Sequence, residues 1–170
     1  MEIHGLNKTT LLDYPEHVAC TVFTGHCNFR CPFCHNGDLV LDPGNQPTIS
    51  EEEFFSFLDK RSAMLDGVAI TGGEPTLQKD LPDFISRVKS RGLLVKLDTN
   101  GARPDIMIDL IDQGLVDYVA MDIKASLPSY AKTVGLNSLD TSAVSESVAY
   151  LLKKFTERRI VCRFFILACG

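Results

Sequence analysis

Cys27, Cys31 and Cys34 crowd into eight residues of the run GHCNFRCPFCHN, a C-x3-C-x2-C spacing. Thiolates at these intervals can converge on one metal centre while the residues between them wrap around it. They make three ligands, whereas a closed structural zinc site takes four. One reading is therefore a Cys3His zinc site completed by His35, His26 or a distant group. An ordinary ferredoxin cluster takes four protein thiolates, and Cys20, inside an apolar run that reads as a strand, is a poor fourth. The sharper reading is a four-iron cluster with one iron left open to a small molecule. Phe33, between the second and third cysteines, is placed to pack beside such a cofactor, or only against its own loop. Three later segments carry polar residues where apolar runs stop: TGGEP, LDTNG and MDIK. Taken alone, the Gly72-Gly73 pair and Asn100-Gly101 read as turns, and Lys124 as a solvated charge.

These segments need a scaffold, and the chain alternates strand-like and helix-like patterns throughout. VACTVFT (18–24), VAIT (68–71), LLVKLD (93–98), LVDYVAMDI (115–123) and IVCRFFIL (160–167) read as five buried strands. Between them, Ser50 and Glu53 form a capping-box signal for a helix over 50–63. A second helix starts near Asp80, tolerates Pro82 in its first turn and stops at Gly92. A third runs from Pro104 to Gly114, and a fourth carries Val144, Val148, Leu151, Leu152 and Phe155 at helical spacing. Strict alternation argues for parallel strands joined by right-handed helical crossovers. An open doubly wound sheet and a partial barrel both satisfy it. An open sheet gathers its site where strand order reverses, and a barrel builds it from consecutive strand ends. Here the chemistry-bearing segments follow four consecutive strands, which favours a partial (β/α) barrel of about five βα units.

Composition narrows the function classes. At 170 residues, 45% hydrophobic and 23% charged, the chain is expected to be one globular domain spanning 1–170. The net charge of -5, without a long basic run, gives no reason to expect nucleic acid or an anionic membrane as partner. The first residues lack a secretory pattern and no apolar run approaches the ~18 residues of a membrane span, so a cytoplasmic location is expected. In a reducing compartment six cysteines are not a disulfide framework.

The cysteine motif followed in order by a strand ending in GGEP resembles the radical S-adenosylmethionine (radical SAM) enzymes. The resemblance implies that Cys27, Cys31 and Cys34 ligate a [4Fe-4S] cluster whose remaining iron takes the amino and carboxylate groups of SAM. Gly72 and Gly73 would let the backbone approach its methionine end, Glu74 would accept hydrogen bonds from its ammonium, and Pro75 would end the strand. Asp98, Thr99, Asn100, Asp122 and Lys124 would serve the ribose and carboxylate, with Asp122 and Lys124 the best candidates. In some members Asp98, Thr99 and Asp122 would also hold a monovalent cation. The segments LLDYPEHVACTVFTGHCNFRCPFCHN, TGGEPTLQ, LDTNG and VDYVAMDIKA are similar to the anaerobic ribonucleoside-triphosphate reductase activating protein family, over about residues 6–155. That likeness implies an anaerobic oxidoreductase: an electron from flavodoxin or ferredoxin cleaves SAM, and the 5'-deoxyadenosyl radical takes hydrogen from a glycine of a partner enzyme.

Two departures stand out. Glu16 occupies a position where that family usually has Gly after Tyr-Pro, which reads as a tolerable surface change. After Phe155 the sequence no longer follows the family well, which reads as a short form lacking the final strand or strands of the barrel, a fragment, or a chain with a disturbed carboxyl end. Cys162 reads as a buried strand residue and Cys169 as a terminal thiol. His4 and His17 read as structural or solvated and Arg30 as facing water. The connection 125–138 reads as a partner-facing loop, or as inert with Tyr130 packed beneath it. Two other functions stay open: a radical SAM enzyme acting on a small molecule, and a truncated, non-catalytic Fe-S or Zn binding module.

Overall fold

The structure, a computed structural model, describes residues 1–157 and 161–166, the side chains of Cys162, Phe165 and Ile166 excepted. A six-stranded sheet runs in chain order: β1 (Ile3–Thr10), β2 (Ala19–Thr24), β3 (Gly67–Gly72), β4 (Leu94–Thr99), β5 (Tyr118–Ile123) and β6 (Val161–Ile166). β1 pairs antiparallel with β2, and each of the other neighbouring pairs is parallel. Strand order never reverses, which places the crossover helices on one side of the sheet and decides for the partial barrel over the doubly wound alternative.

Period-two alternation sorts the two faces. Cys20, Val22, Val68, Ile70, Val95, Leu97, Val119 and Met121 face the helices and form one apolar core with them. These helices are α2 (Glu51–Arg61), α3 (Leu81–Lys89), α4 (Pro104–Asp112) and α6 (Ser142–Thr156). Ser50 caps α2 by accepting from the Glu53 amide at 3.1 Å, as the sequence signal anticipates. Phe54 stacks on Phe84 with centroids 5.1 Å apart and locks α2 to α3. Each fully buried aromatic of this kind contributes roughly 1.5–3 kcal/mol. The opposite, concave face is lined by smaller and polar residues. Tyr14, Ala19, Tyr118 and Ala120 close one end of it, while Lys96, Asp98 and Asp122 follow toward the strand carboxyl ends.

Two features differ from the sequence expectation. β1 adds an antiparallel edge that IHGLNKTT, with no apolar run, does not announce; His4 lies within it, buried, with Nδ1 3.1 Å from the Pro47 carbonyl oxygen. Short helices α1 (Gly37–Leu41) and α5 (Tyr130–Thr133) also stand inside segments that read as loops. The fifth parallel strand is present as β6, and Cys169, at the end of the sequence, lies outside the described residues.

Candidate active site

A cavity of about 650 Å³ opens at the carboxyl ends of β2 to β5. That volume lies within the roughly 300–1,000 Å³ of small-molecule sites. The β2–α1 connection supplies Cys27, Cys31, Phe33 and Cys34 to its wall, β3 supplies Gly72, Gly73 and Glu74, β4 supplies Asp98, Thr99 and Asn100, and β5 supplies Asp122 and Lys124. The segments singled out in the sequence thus meet in space. Pro75 does not line the cavity; it is buried at the start of a 3-10 turn directly after Glu74.

The cysteine loop is anchored to the turn after β3 by backbone bonds. The Gly73 amide donates to the Thr24 carbonyl and the Glu74 amide to the His26 carbonyl, both at 2.8 Å. A Cβ at Gly73 would land on that His26 oxygen, and one at Gly72, whose φ is +112°, on the Thr24 backbone. Glycine is therefore required here by close approach of two chain segments, before any ligand is considered. His26 itself sits at φ 62°, a left-handed conformation that turns the chain into the cysteine run. Its ring faces Glu2 at 3.3 Å.

Burial pushes the Cys27 thiol up to about 11, opposed by the Phe29 amide that donates to its sulfur at 3.4 Å; nearby Glu74, Cys31 and Cys34 push it up further. Cys31 is also raised by burial, and the Lys124 ammonium pulls it back. The three thiols are near enough to feel one another. Even so, no three His, Cys, Asp or Glu side chains among the described residues gather tightly enough for a single metal ion. A polynuclear cluster asks for something else, since each thiolate takes a different iron. Three thiols on one cavity wall, with a sulfur already accepting an amide hydrogen, suit that group. Cys20 is fully buried on the helix side of β2, its thiol pushed up to about 12 by burial, and offers no fourth ligand.

Glu74 is 1% exposed and its carboxylate is committed within the protein. Oε1 accepts from the Thr76 amide at 3.1 Å, the Thr76 hydroxyl at 2.6 Å and the Thr99 hydroxyl at 2.8 Å; Oε2 accepts from the Asn100 amide at 2.7 Å. Burial raises its pKa and these four donors oppose the rise. The carboxylate wires the end of β3 to the end of β4. Asp98 is paired with Lys96 and Asp122 with Lys124, the latter at 2.5 Å. Asp98 is raised by burial, against the pull of Lys96.

The contacts that hold this arrangement in place are not legible in the sequence, although Asn100 and a Tyr130 packed beneath its loop are both anticipated there. Asn36 Nδ2 donates to the Gly72 carbonyl at 2.9 Å, and Asn100 Nδ2 donates to Asn28 Oδ1 at 2.7 Å, across the mouth of the cysteine loop. Segment 125–138 is a brace. Tyr130 is fully buried, its ring edge-on to Phe29 at 6.2 Å, its hydroxyl 3.3 Å from the Lys124 amide. The Arg30 amide donates to the Val134 carbonyl at 2.8 Å. Arg30, read as facing water, is exposed but also donates from its guanidinium to the Cys27 and Phe29 carbonyls. Asparagines and an arginine within such loops carry no sequence pattern that separates a bracing role from a solvated one.

The profile of the family described as the Radical SAM superfamily matches residues 21–168. The chain belongs to the radical SAM superfamily. Members of this superfamily use a [4Fe-4S] cluster and S-adenosylmethionine. A Methanocaldococcus jannaschii protein assigned by name as a glycyl-radical enzyme activating enzyme is 39% identical over 133 residues, 78% of this chain and 54% of that protein. The pyruvate formate-lyase-activating enzyme of Listeria monocytogenes is 27% identical over 161 residues, 89% of this chain and 64% of the enzyme. The chain spans about half the length of the first curated relatives it matches. Among solved structures, QueE from Escherichia coli matches with a TM-score of 0.55 at 12% identity, covering 96% of this chain and 92% of that one. AdoMet-bound anSMEcpe matches with a TM-score of 0.54 at 19% identity, over 83% of this radical SAM chain and 41% of its own. Both establish likeness of fold. No helix among the described residues is long and apolar enough to cross a membrane.

Proposed function

We propose that residues 1–170 act as one radical SAM domain that generates a glycyl radical on a partner enzyme. The observation that carries the reading is the convergence of Cys27, Cys31 and Cys34 with the Gly72–Gly73 turn on one cavity, formed at four consecutive strand ends. The three thiolates would hold a [4Fe-4S] cluster, and SAM would lie against the glycine turn. When bound, such a cluster would pass one electron, received from an external one-electron donor, to the sulfonium of SAM, so that the carbon–sulfur bond breaks to methionine and a 5'-deoxyadenosyl radical able to take a hydrogen atom from a glycine.

This chain's residues do the positioning. Asn36 fixes the Gly72 carbonyl, so the close-packed glycine turn presents a rigid edge to the methionine end. Glu74 acts through β4: its four hydrogen bonds set the loop that carries Thr99 and Asn100, and its contact with an ammonium is secondary to that task. Lys124, on the cavity wall, is the cation available to a carboxylate, and Asp122 beside it would accept from a ribose hydroxyl. Phe29 and Val40 on the cavity wall limit water around the thiols. The likeness to activating enzymes by name and identity supports a glycyl-radical enzyme as partner, and an anaerobic ribonucleotide reductase is the proposed member of that class. Flavodoxin or ferredoxin is the proposed electron donor, and the cytoplasm the proposed compartment.

One anaerobic assay tests this. Reconstituted chain should carry four irons and four sulfides per molecule, on the stoichiometry of such a cluster, and release 5'-deoxyadenosine from SAM when reduced by dithionite. Adding the reductase should give a glycyl-radical signal in electron paramagnetic resonance. A full cluster without nucleoside release overturns the enzymatic reading; nucleoside release without a protein radical overturns only the choice of partner.

A further inference from the structure

Lys96 lies in the middle of β4, on the concave face, 6% exposed. An ammonium taken out of water in a sheet is costly unless paired. Its ion pair is with Asp98, two residues along the same strand and on the same face, and its Nζ also stands 5.9 Å from the centre of the Tyr118 ring on β5. Asp98 in turn lies close enough to Asp122 for the two carboxylates to repel. Lys124 pairs with Asp122 by the same two-residue spacing and lines the cavity. Two carboxylates thus face two ammonium groups.

The same place is where some relatives are expected to hold a monovalent cation, through Asp98, Thr99 and Asp122. The donor set here does not fit that ion. Asp98 and Asp122 each already carry a lysine ammonium on one carboxylate oxygen, and the Thr99 hydroxyl is engaged on its proton and one lone pair, donating to Glu74 at 2.8 Å and accepting from the Gly101 amide at 3.1 Å. We infer that Lys96 is a built-in cation: its ammonium supplies to the paired strand-end aspartates the charge that a bound monovalent ion would supply. Lys96 is then a positioning residue that keeps Asp98 and Asp122 together when Lys124 turns toward a ligand carboxylate. Only the last clause rests on the SAM-binding reading; the charge balance itself needs neither cluster nor SAM.

The test compares the 170-residue chain with Lys96→Met in potassium chloride, sodium chloride and choline chloride at equal ionic strength. Urea midpoints should be the same in all three salts for the unmodified chain. For Lys96→Met the midpoint should be lower in choline and recover as potassium or sodium rises, by mass action on the folded state. Lys96→Met/Asp98→Asn, which removes both charges, should fold and be indifferent to the cation. If Lys96→Met is unfolded in choline, its folding on addition of potassium gives the same answer. In cluster-loaded Lys96→Met, SAM affinity measured by equilibrium dialysis should be weaker in choline by roughly tenfold, the change that one lost charge pair of about 1.4 kcal/mol produces, and be restored by potassium. A midpoint of the unmodified chain that rises with either ion, or a Lys96→Met chain blind to both, overturns the inference. Since the midpoints involve no SAM, their failure is distinct from failure of the SAM-binding reading.

Discussion

Glu16 stands at φ 67° with its side chain exposed. In this left-handed region the Cβ of an L-residue crowds the following carbonyl, at roughly 1–2 kcal/mol. It sits inside the turn in which the His17 amide donates to the Tyr14 carbonyl at 3.2 Å. The position where the activating-protein family usually has glycine is therefore a backbone requirement, and the change to Glu is more than a surface exchange. Glu16→Gly is expected to raise stability by about 1 kcal/mol, after subtracting the freedom glycine adds to the unfolded chain. A urea titration checks it: a higher midpoint at unchanged slope supports the strain, and an equal or lower midpoint rejects it. The substitution itself was legible in the sequence, but its sign was not, because φ at one turn residue depends on the contacts that close the turn. Glu74 gives the same lesson. Its place in GGEP marks it for the site, yet the pattern does not reveal that four internal donors already occupy its carboxylate.

Parallel strands and the larger helices were legible because their signals are local: apolar runs for β2 to β5, capping and glycine stops for α2, α3 and α4. β1 escaped notice since an edge strand needs pairing on one side only and tolerates the polar Asn7, Lys8 and Thr9. For α5 and its flanks the packing of Tyr130 is legible but its partners are not, the contacts with Phe29 and Arg30 being made about a hundred residues away in sequence. Gly135 is the tightest point of this brace: φ is +73°, and a Cβ there would land on the Arg30 carbonyl inside the cysteine loop. Gly135→Ala must therefore shift one segment or the other. The expected result is a chain with unchanged far-ultraviolet circular dichroism that binds clearly less iron per molecule on anaerobic reconstitution. Tyr130→Phe, which removes only the hydroxyl near Lys124 and the Asp122 carbonyl, should cost about 1 kcal/mol and leave iron content intact. Iron loading of Gly135→Ala equal to that of the unmodified chain shows that the cysteine loop stands without the brace.

At the scale of the whole molecule, the sheet divides the thiols between two environments, and each environment leaves a mark on stability against pH. Cys20 lies in the core under the helices, and Cys27 and Cys31 lie in the cavity on which four strand ends converge. Burial raises all three, Cys20 to about 12 and Cys27 to about 11, from an ordinary value of 9.0. A raised folded value means that the unfolded chain gives up its proton first. Stability is then fully present below the unfolded value and is lost as pH rises toward the folded one. The metal-free chain should accordingly lose stability from about pH 9 upward, with Cys27 contributing roughly 1 kcal/mol of the loss by pH 10. Tyr14 and Tyr130, also raised by burial, add to the loss at still higher pH. Ligation changes the sum, because a metal-bound sulfur has already surrendered its proton at neutral pH. Cluster-loaded chain should keep the part of the alkaline decline that belongs to Cys20 and the tyrosines, and lose the part that belongs to Cys27 and Cys31. Urea midpoints of the metal-free and loaded forms between pH 8 and about pH 10.5 measure the difference, with Cys27→Ala as the metal-free control whose decline is already shallower. Parallel curves for the two forms would mean that the cavity thiols are not the ligands, whatever iron the chain carries.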